Sequence, residues 1–308
     1  MDVDLPDWPE VILPPTYDHP FKDVFGQVNI LASFAAALLR EDIERFSGMT
    51  LTDPNLNPEY AGDKATIPDI RAKIPGLHIS LEMQRLYTPI ASARELYRMA
   101  RMMAGAVKEG DDYKVMPKVV LVIIVEKFLL HPKDDKYHHC YRLVDDVTGL
   151  PYENSPEIHT LELQKLGPCD GTDLWWWLMF LSALSREDFM MVARKGGAMT
   201  EAVARLINFS SDEARRMRAE AREIFLMDQL TLKNMGRTEG YAEGMAEGMA
   251  KGMAEGMAEG MAKGMAKGMA KDKAEIALRL YQMGTLPVSA IAQATGLTPN
   301  EINRLAAD

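Results

Sequence analysis

A bend at Pro75-Gly76, flanked by two runs with apolar residues at alternate positions, does most to restrict how this chain can fold. Pro-Gly is turn chemistry, and the flanking runs predict the two strands of a hairpin. After the bend, Leu77, Ile79, Leu81 and Met83 alternate with His78, Ser80, Glu82 and Gln84. Strand side chains point to opposite faces in turn, so the apolar set faces a core and the polar set the other side. Glu82 and Gln84 then lie on one face, roughly 6–7 Å apart along the strand. The first strand carries Asp69 back across the bend to a neighbouring position, with Lys73 on the same face as Asp69 if that strand is regular. An acid before the hairpin and Glu-x-Gln on the facing strand supply hard oxygen ligands for one divalent cation. The bland reading is a pair of exposed acids on a polar sheet face.

The rest of the chain builds outward from that hairpin. Residues 1–16 carry four prolines and several acids and predict an irregular arm. Residues 17–40 have helical periodicity, with Lys22 and Asp23 near the start as helix-face charges or site residues. Residues 53–68, rich in Pro, Asn and Asp, predict turns around a short first strand. In residues 90–108 the periodicity is helical again. Arg94, Arg98, Arg101 and Lys108 share one face, while Leu96, Met99, Ala100, Met103 and Val107 form another that can pack on a sheet. The basic stripe suits a phosphate backbone, and equally a solvated amphipathic helix. Residues 119–125 are seven apolar, mostly β-branched residues, the pattern of a central strand buried on both faces. Residues 141–144 and 158–163 predict further strands. The order implies an α/β fold with a mixed central sheet flanked by helices. His138-His139-Cys140 has no second ligand pair at zinc-site spacing and is expected in an exposed loop. Trp175-Trp176-Trp177 is expected in a core helix, and Arg215, Arg216, Arg218 and Arg222, interspersed with acids, on a salt-bridged surface helix.

Composition narrows the classes that remain. A net charge of −10 argues against a protein coated in basic surface, though a local patch suffices to hold DNA. Two cysteines, Cys140 and Cys169, imply no disulfide framework and fit a reducing cytoplasm. The acidic, proline-rich start is unlike a signal peptide. The longest apolar runs, residues 119–125 and 174–184, fall short of the ~20 residues that cross a bilayer, so a soluble cytoplasmic protein with no membrane partner is expected.

Between Gly236 and Gly268 a glycine recurs at every fourth position, nine in all, mostly as Gly-Met-Ala-Glu or Gly-Met-Ala-Lys. As a helix, the stripe would drift some 40° per repeat, against the sense of a left-handed heptad coil. Nine glycines cost on the order of 9 kcal/mol relative to alanine. Residues 233–272 are therefore either a dynamic linker or a long helix supported by a homo-oligomer through the glycine-repeat tail. Residues 273–308 return to ordinary helical patterning, with Gly296 in a turn and Thr298 and Glu301 at capping-box spacing. The last helix offers Arg304 as its cation, which favours a packing or oligomerisation module over DNA readout.

Several segments together resemble a known group. Pro68-Asp69 followed by Glu82-Met83-Gln84 resembles the PD-(D/E)XK nuclease superfamily, and more narrowly the Rpn-type recombination-promoting nucleases, or PD-(D/E)XK family transposases. Asp18-His-Pro-Phe21-Lys22-Asp-Val-Phe25-Gly26 resembles the group's opening signature. Leu56-Asn57-Pro58-Glu59 with Asp63-Lys64 resembles the segment before its catalytic Asp, and Leu161-Glu162-Leu163-Gln164-Lys165 its later strand. Arg94 and Tyr97 fall where the group's next helix has Arg and Tyr, and the glycine-rich tail is also group-like. The resemblance implies a restriction-endonuclease-like core over residues 17–232 with an all-helical C-terminal tail. It implies a Mg²⁺-dependent DNA endonuclease with Asp69, Glu82 and Gln84 as catalytic residues, and Asp69 and Glu82 as the metal ligands. Arg94, Arg98 and Arg101 are then phosphate contacts, and Lys73, Glu41 and Tyr97 accessory candidates, Glu41 because related nucleases sometimes bring an acid from the first helix. Gln84 stands where the superfamily usually has Lys. It can hydrogen-bond water but carries no charge. Recombination, defence against foreign DNA, and a catalytically silent DNA-binding or assembly protein are three roles compatible with these residues.

Overall fold

The computed structural model describes residues 3–53, 69–85, 91–107, 110 and 112–307. The expected short strand within residues 54–68, the family-like residues Leu56 to Glu59 and Asp63-Lys64, and also Ile90 and Lys108, lie outside the described residues. The chain divides into two compact units, Met1–Met227 and Asp228–Asp308.

The first unit is built on a six-stranded mixed sheet in the order β1-β2-β3-β4-β6-β5. β1 (Thr50–Leu51), β2 (Ile70–Ile74) and β3 (Leu77–Gln84) run antiparallel in succession. β3 pairs parallel with β4 (Lys118–Val125), which pairs parallel with β6 (Glu157–Glu162), and β5 (His138–Arg142) closes the edge antiparallel to β6. The β-branched run falls in the middle of the sheet, where both strand faces must be apolar. From β4, Val120, Val122 and Ile124 enter the main core, whereas Leu121, Ile123 and Val125 form a smaller cluster on the opposite face.

The main core joins the sheet to helices α1 (Asp18–Phe25), α2 (Val28–Leu39), α4 (Asp173–Ser182), α5 (Arg186–Ala193) and α6 (Ala198–Ser211). Phe25 is its aromatic hub, 5.4 Å from Phe34 and 5.6 Å from Trp177 between ring centroids. The tryptophan triplet lies in α4 as expected, started by Thr172, whose hydroxyl accepts the Trp175 N–H at 3.1 Å. α3 (Ala91–Ala104) covers the other face.

Three local expectations change. The single helix over residues 17–40 is two helices, α1 and α2, broken at Gly26. Gly26 N–H returns to the Lys22 carbonyl at 3.0 Å, and a Cβ on Gly26 would stand 2.4 Å from that oxygen, so only glycine fits. The strand expected at 141–144 starts earlier, and His138, His139 and Cys140 belong to β5 rather than to a loop. Residues 3–16 have no regular element, yet Leu13 is buried and its N–H donates to Ser210 Oγ at 3.1 Å.

α7 (Glu213–Met283) runs through the whole glycine repeat as one helix of 71 residues. Among the described residues, the helix's own neighbouring backbone aside, nothing lies within 4 Å of where a Cβ would stand on any repeat glycine from Gly236 to Gly268, and the repeat methionines are exposed. In the second unit α8 (Val288–Thr295) and α9 (Pro299–Ala307) pack through Ile291 and Ile302 against Ala277 of α7. Gly296 takes φ 73°, and Thr298 and Glu301 form the expected reciprocal cap. Among the described residues no helix is long and apolar enough to cross a membrane.

Candidate active site

The β2–β3 register pairs Ile70 with Leu81, so the next step brings Asp69 opposite Glu82 at the open end of the hairpin. Asp69 is held there by its own backbone partner: its Oδ2 accepts the Met83 N–H at 2.8 Å. Its other oxygen lies 3.3 Å from the Lys22 ammonium, which also meets Asp18 Oδ1 at 2.5 Å. α1 thus contributes an acid and a cation one helical turn apart, on the side of Asp69.

Glu82 and Gln84 lie on the expected face of β3, but that face is covered. Glu82 is 6 % and Gln84 7 % exposed, and Asp69 is partly buried, against the reading of Asp69 and Glu82 as two exposed acids. The cover is α3, which turns Glu95, Arg98 and Met102 inward at i, i+3 and i+7. Arg98 Nη1 stands 2.9 Å from Glu82 Oε1, and Gln84 Nε2 donates to Glu95 Oε1 at 2.6 Å. This changes part of the helix facing read from the sequence: Met99 packs on Leu121, Ile123 and Val125 as expected, but Leu96 is 54 % exposed, and Arg98 is sealed against Glu82 rather than displayed on a basic stripe. The polar row Ser80, Glu82, Gln84 beneath the helix explains the difference, because an apolar helix face there would leave a buried carboxylate without a cation.

Electrostatics follow from this burial. Desolvation, reinforced by the Asp69 charge, pushes Glu82 up to about 8, although Arg98 and Arg94 pull it down. Desolvation also raises Asp69, opposed by the Met83 N–H and Lys22, and raises Glu95, opposed by its Gln84 hydrogen bond. Two adjacent carboxyls that resist ionisation together form a site that gains from added positive charge. Glu82 Oε1 is in Coulombic contact with Arg98, and among the described residues neither Glu82 Oε1 nor Gln84 Oε1 has a well-directed hydrogen-bond partner. Two carboxylates with an orphaned amide oxygen beside them form a hard donor set that fits a divalent cation such as Mg²⁺.

Arg94 is exposed on α3, Tyr97 is 37 % exposed and Arg101 half-buried. Lys73 is exposed at the far end of β2, opposite His78, about 13 Å along the strand from Asp69. Glu41 is ion-paired with Arg45 and lines a separate cavity of about 940 Å³ with Arg40, Tyr137 and Trp177. Sequence reading left Asp18 and Glu95 unassigned. The Asp18–Lys22 i,i+4 spacing and the Glu95–Arg98 i,i+3 spacing were the available signals. Arg85, directly after Gln84, is tied to Glu126 and Glu223 and stacks 4.3 Å over the Tyr17 ring, which fixes the end of β3.

Comparison with known families gives a match over the part of the chain that carries these residues. The model of the PD-(D/E)XK nuclease family transposases matches residues 15–235, which include α1, the hairpin, α3 and the whole sheet. Nothing among curated proteins or solved structures matches the chain.

Proposed function

The chain belongs to the PD-(D/E)XK nuclease family transposases, with a restriction-endonuclease-like mixed sheet, and we propose that it is a Mg²⁺-dependent DNA endonuclease acting in recombination or mobile-element contexts. The observation that carries this reading is the pairing of Asp69 with Glu82 at the hairpin's open end, each carboxyl raised by burial. Asp69 and Glu82 would hold a Mg²⁺, with Asp69 oriented by the Met83 N–H. The ion would polarise the scissile phosphate and make water a stronger nucleophile.

The other groups orient and compensate charge. Gln84, fixed through its amide nitrogen by Glu95, presents its oxygen to accept a hydrogen bond from the attacking water. Lys22, with its ammonium half-exposed beside Asp69, is the cation that can meet developing negative charge on phosphate. It fills the part that the superfamily's usual Lys plays, from α1 rather than from β3. Arg94, exposed and close enough to influence Glu82, contacts the neighbouring backbone phosphate.

One observation favours a second reading, a silent DNA-binding or assembly protein: Arg98 already occupies Glu82. Purified protein incubated with plasmid DNA and Mg²⁺, beside Asp69→Asn and Glu82→Gln, separates the two. The endonuclease reading expects nicking or linearisation by the wild type alone. No cleavage by the wild type, or equal cleavage by all three, rejects it.

A further inference from the structure

A second set of ligand atoms lies on the β5–β6 edge, on the sheet face that carries Leu161 into the main core. The antiparallel register sets Cys140 opposite His159 and Arg142 opposite Glu157. Cys140 Sγ is 3.5 Å from His159 Nε2, and Glu157 Oε2 is 3.2 Å from the same nitrogen. The three atoms lie within 4.8 Å of one another. A tetrahedral ion bonded at about 2.3 Å to sulfur and about 2.0–2.2 Å to nitrogen and oxygen has ligand edges of roughly 3.3–3.6 Å. The two measured edges are close to that range.

The geometry points to a zinc-type site formed by Cys140, Glu157 and His159, separate from the Asp69–Glu82 pair. Three features of the cluster favour an ion over the alternatives. First, thiol and carboxylate converge on one ring nitrogen, Nε2. A nucleophilic Cys–His–acid arrangement would place the acid on Nδ1, the opposite side of the ring. Second, Nδ1 is taken by His138 Nε2 at 2.9 Å, the partner that fixes the orientation of a metal-binding imidazole. Third, Glu157 directs its Oε1 to Lys118 and Arg142 and leaves Oε2 to face His159. The neighbouring cluster His131, His139 and Glu162 lacks that vacancy. Both Glu162 oxygens are taken, by the Leu130 N–H at 2.7 Å and the Lys165 ammonium at 2.9 Å among others.

The chemistry balances simply. Without an ion, His159 donates its Nε2–H to Glu157. Meanwhile His159 Nδ1 accepts from the His138 Nε2–H; on binding, His159 carries its proton on Nδ1 and donates it to His138 Nε2, and His138 carries its own proton on Nδ1. The Cys140 S–H bond breaks, an S–metal bond forms, and one proton per ion leaves to solvent. His159 and Glu157 are buried, while Cys140 is half-exposed and gives an entry path. The ion would clip the edge strand β5 to β6.

Cobalt(II) added to the metal-free full-length protein tests this, because a cysteine-bound ion gives a thiolate-to-metal charge-transfer band. One equivalent should generate the band in the wild type, in Asp69→Asn, and in Cys169→Ser, where Cys140 is the remaining thiol. Cys140→Ser should lose the band and bind zinc at least about 100-fold more weakly, and His138→Ala about 10–100-fold more weakly. Absence of the band in Cys169→Ser, or its persistence in Cys140→Ser, would overturn the assignment. The Cys169→Ser arm decides even if Cys140→Ser fails to fold.

Discussion

The two faces of β3 are both buried, yet they are buried by opposite means. On one face Leu77, Ile79 and Leu81 meet the helices of the main core, a contact that hydrophobic burial alone stabilises. On the other, Glu82 and Gln84 are closed in by Arg98 and Glu95 of α3, because a buried polar group without a charge or hydrogen-bond partner is costly. A charged pair under a helix is a poor device for stability, since well-packed apolar residues would serve as well or better. The first face therefore specifies the fold, and the second is where an activity can be held at a cost in stability.

Substitutions can break that division, and the largest effect should come from the polar face. Asp69→Asn and Glu82→Gln should each lower plasmid cleavage on the order of 10³-fold, the scale of losing a metal ligand, with native circular dichroism retained. Leu81→Ala, one residue away, should do the reverse. It should lose about 2–5 kcal/mol in urea denaturation while the folded fraction keeps its specific activity. Next, Gly26→Ala should cost about 1–3 kcal/mol, because its Cβ would collide with the Lys22 carbonyl and displace the turn of α1 that carries Lys22. Lys22→Ala should then slow cleavage by roughly 10–100-fold, whereas Lys73→Ala should leave the rate within about twofold, since Lys22 and not Lys73 meets Asp69.

The pH dependence of stability sharpens the same contrast. Glu82 has a folded-state value of about 8, above its ordinary 4.5, so the metal-free folded protein binds more protons than the unfolded chain across that interval. Its contribution is present in full at acid pH and is lost as pH rises from about 4.5 through about 8. Melting curves across that range should show the decline in the wild type and a flatter profile in Glu82→Gln. Added Mg²⁺ should offset the decline at the alkaline end, because ion binding favours the carboxylate.

What the sequence disclosed was what local chemistry dictates. Pro75-Gly76, the alternation from Leu77 to Gln84, the run from Val119 to Val125, and the Thr298–Glu301 cap each carry their structure within a few residues. The pairing of Asp69 with Glu82 followed from the bend alone. The inward turn of Glu95 and Arg98 on α3 did not, because apolar periodicity assumes an apolar surface beneath the helix, and part of the surface here is Glu82 and Gln84. The break at Gly26 was hidden inside an unbroken helical pattern, visible only as the contact a Cβ would make with Lys22. His138 and Cys140 looked isolated because their partner, His159, lies on the neighbouring strand, 21 and 19 residues away.

The most direct measurement is an anomalous-scattering map of crystals grown with Mn²⁺ as a stand-in for Mg²⁺. The expected peak lies between Asp69 and Glu82, with a carboxylate oxygen from each at about 2.0–2.6 Å and the Arg98 guanidinium moved off Glu82. A map with no ion there, and Arg98 still seated on Glu82 at saturating metal, would contradict the shared-ion site.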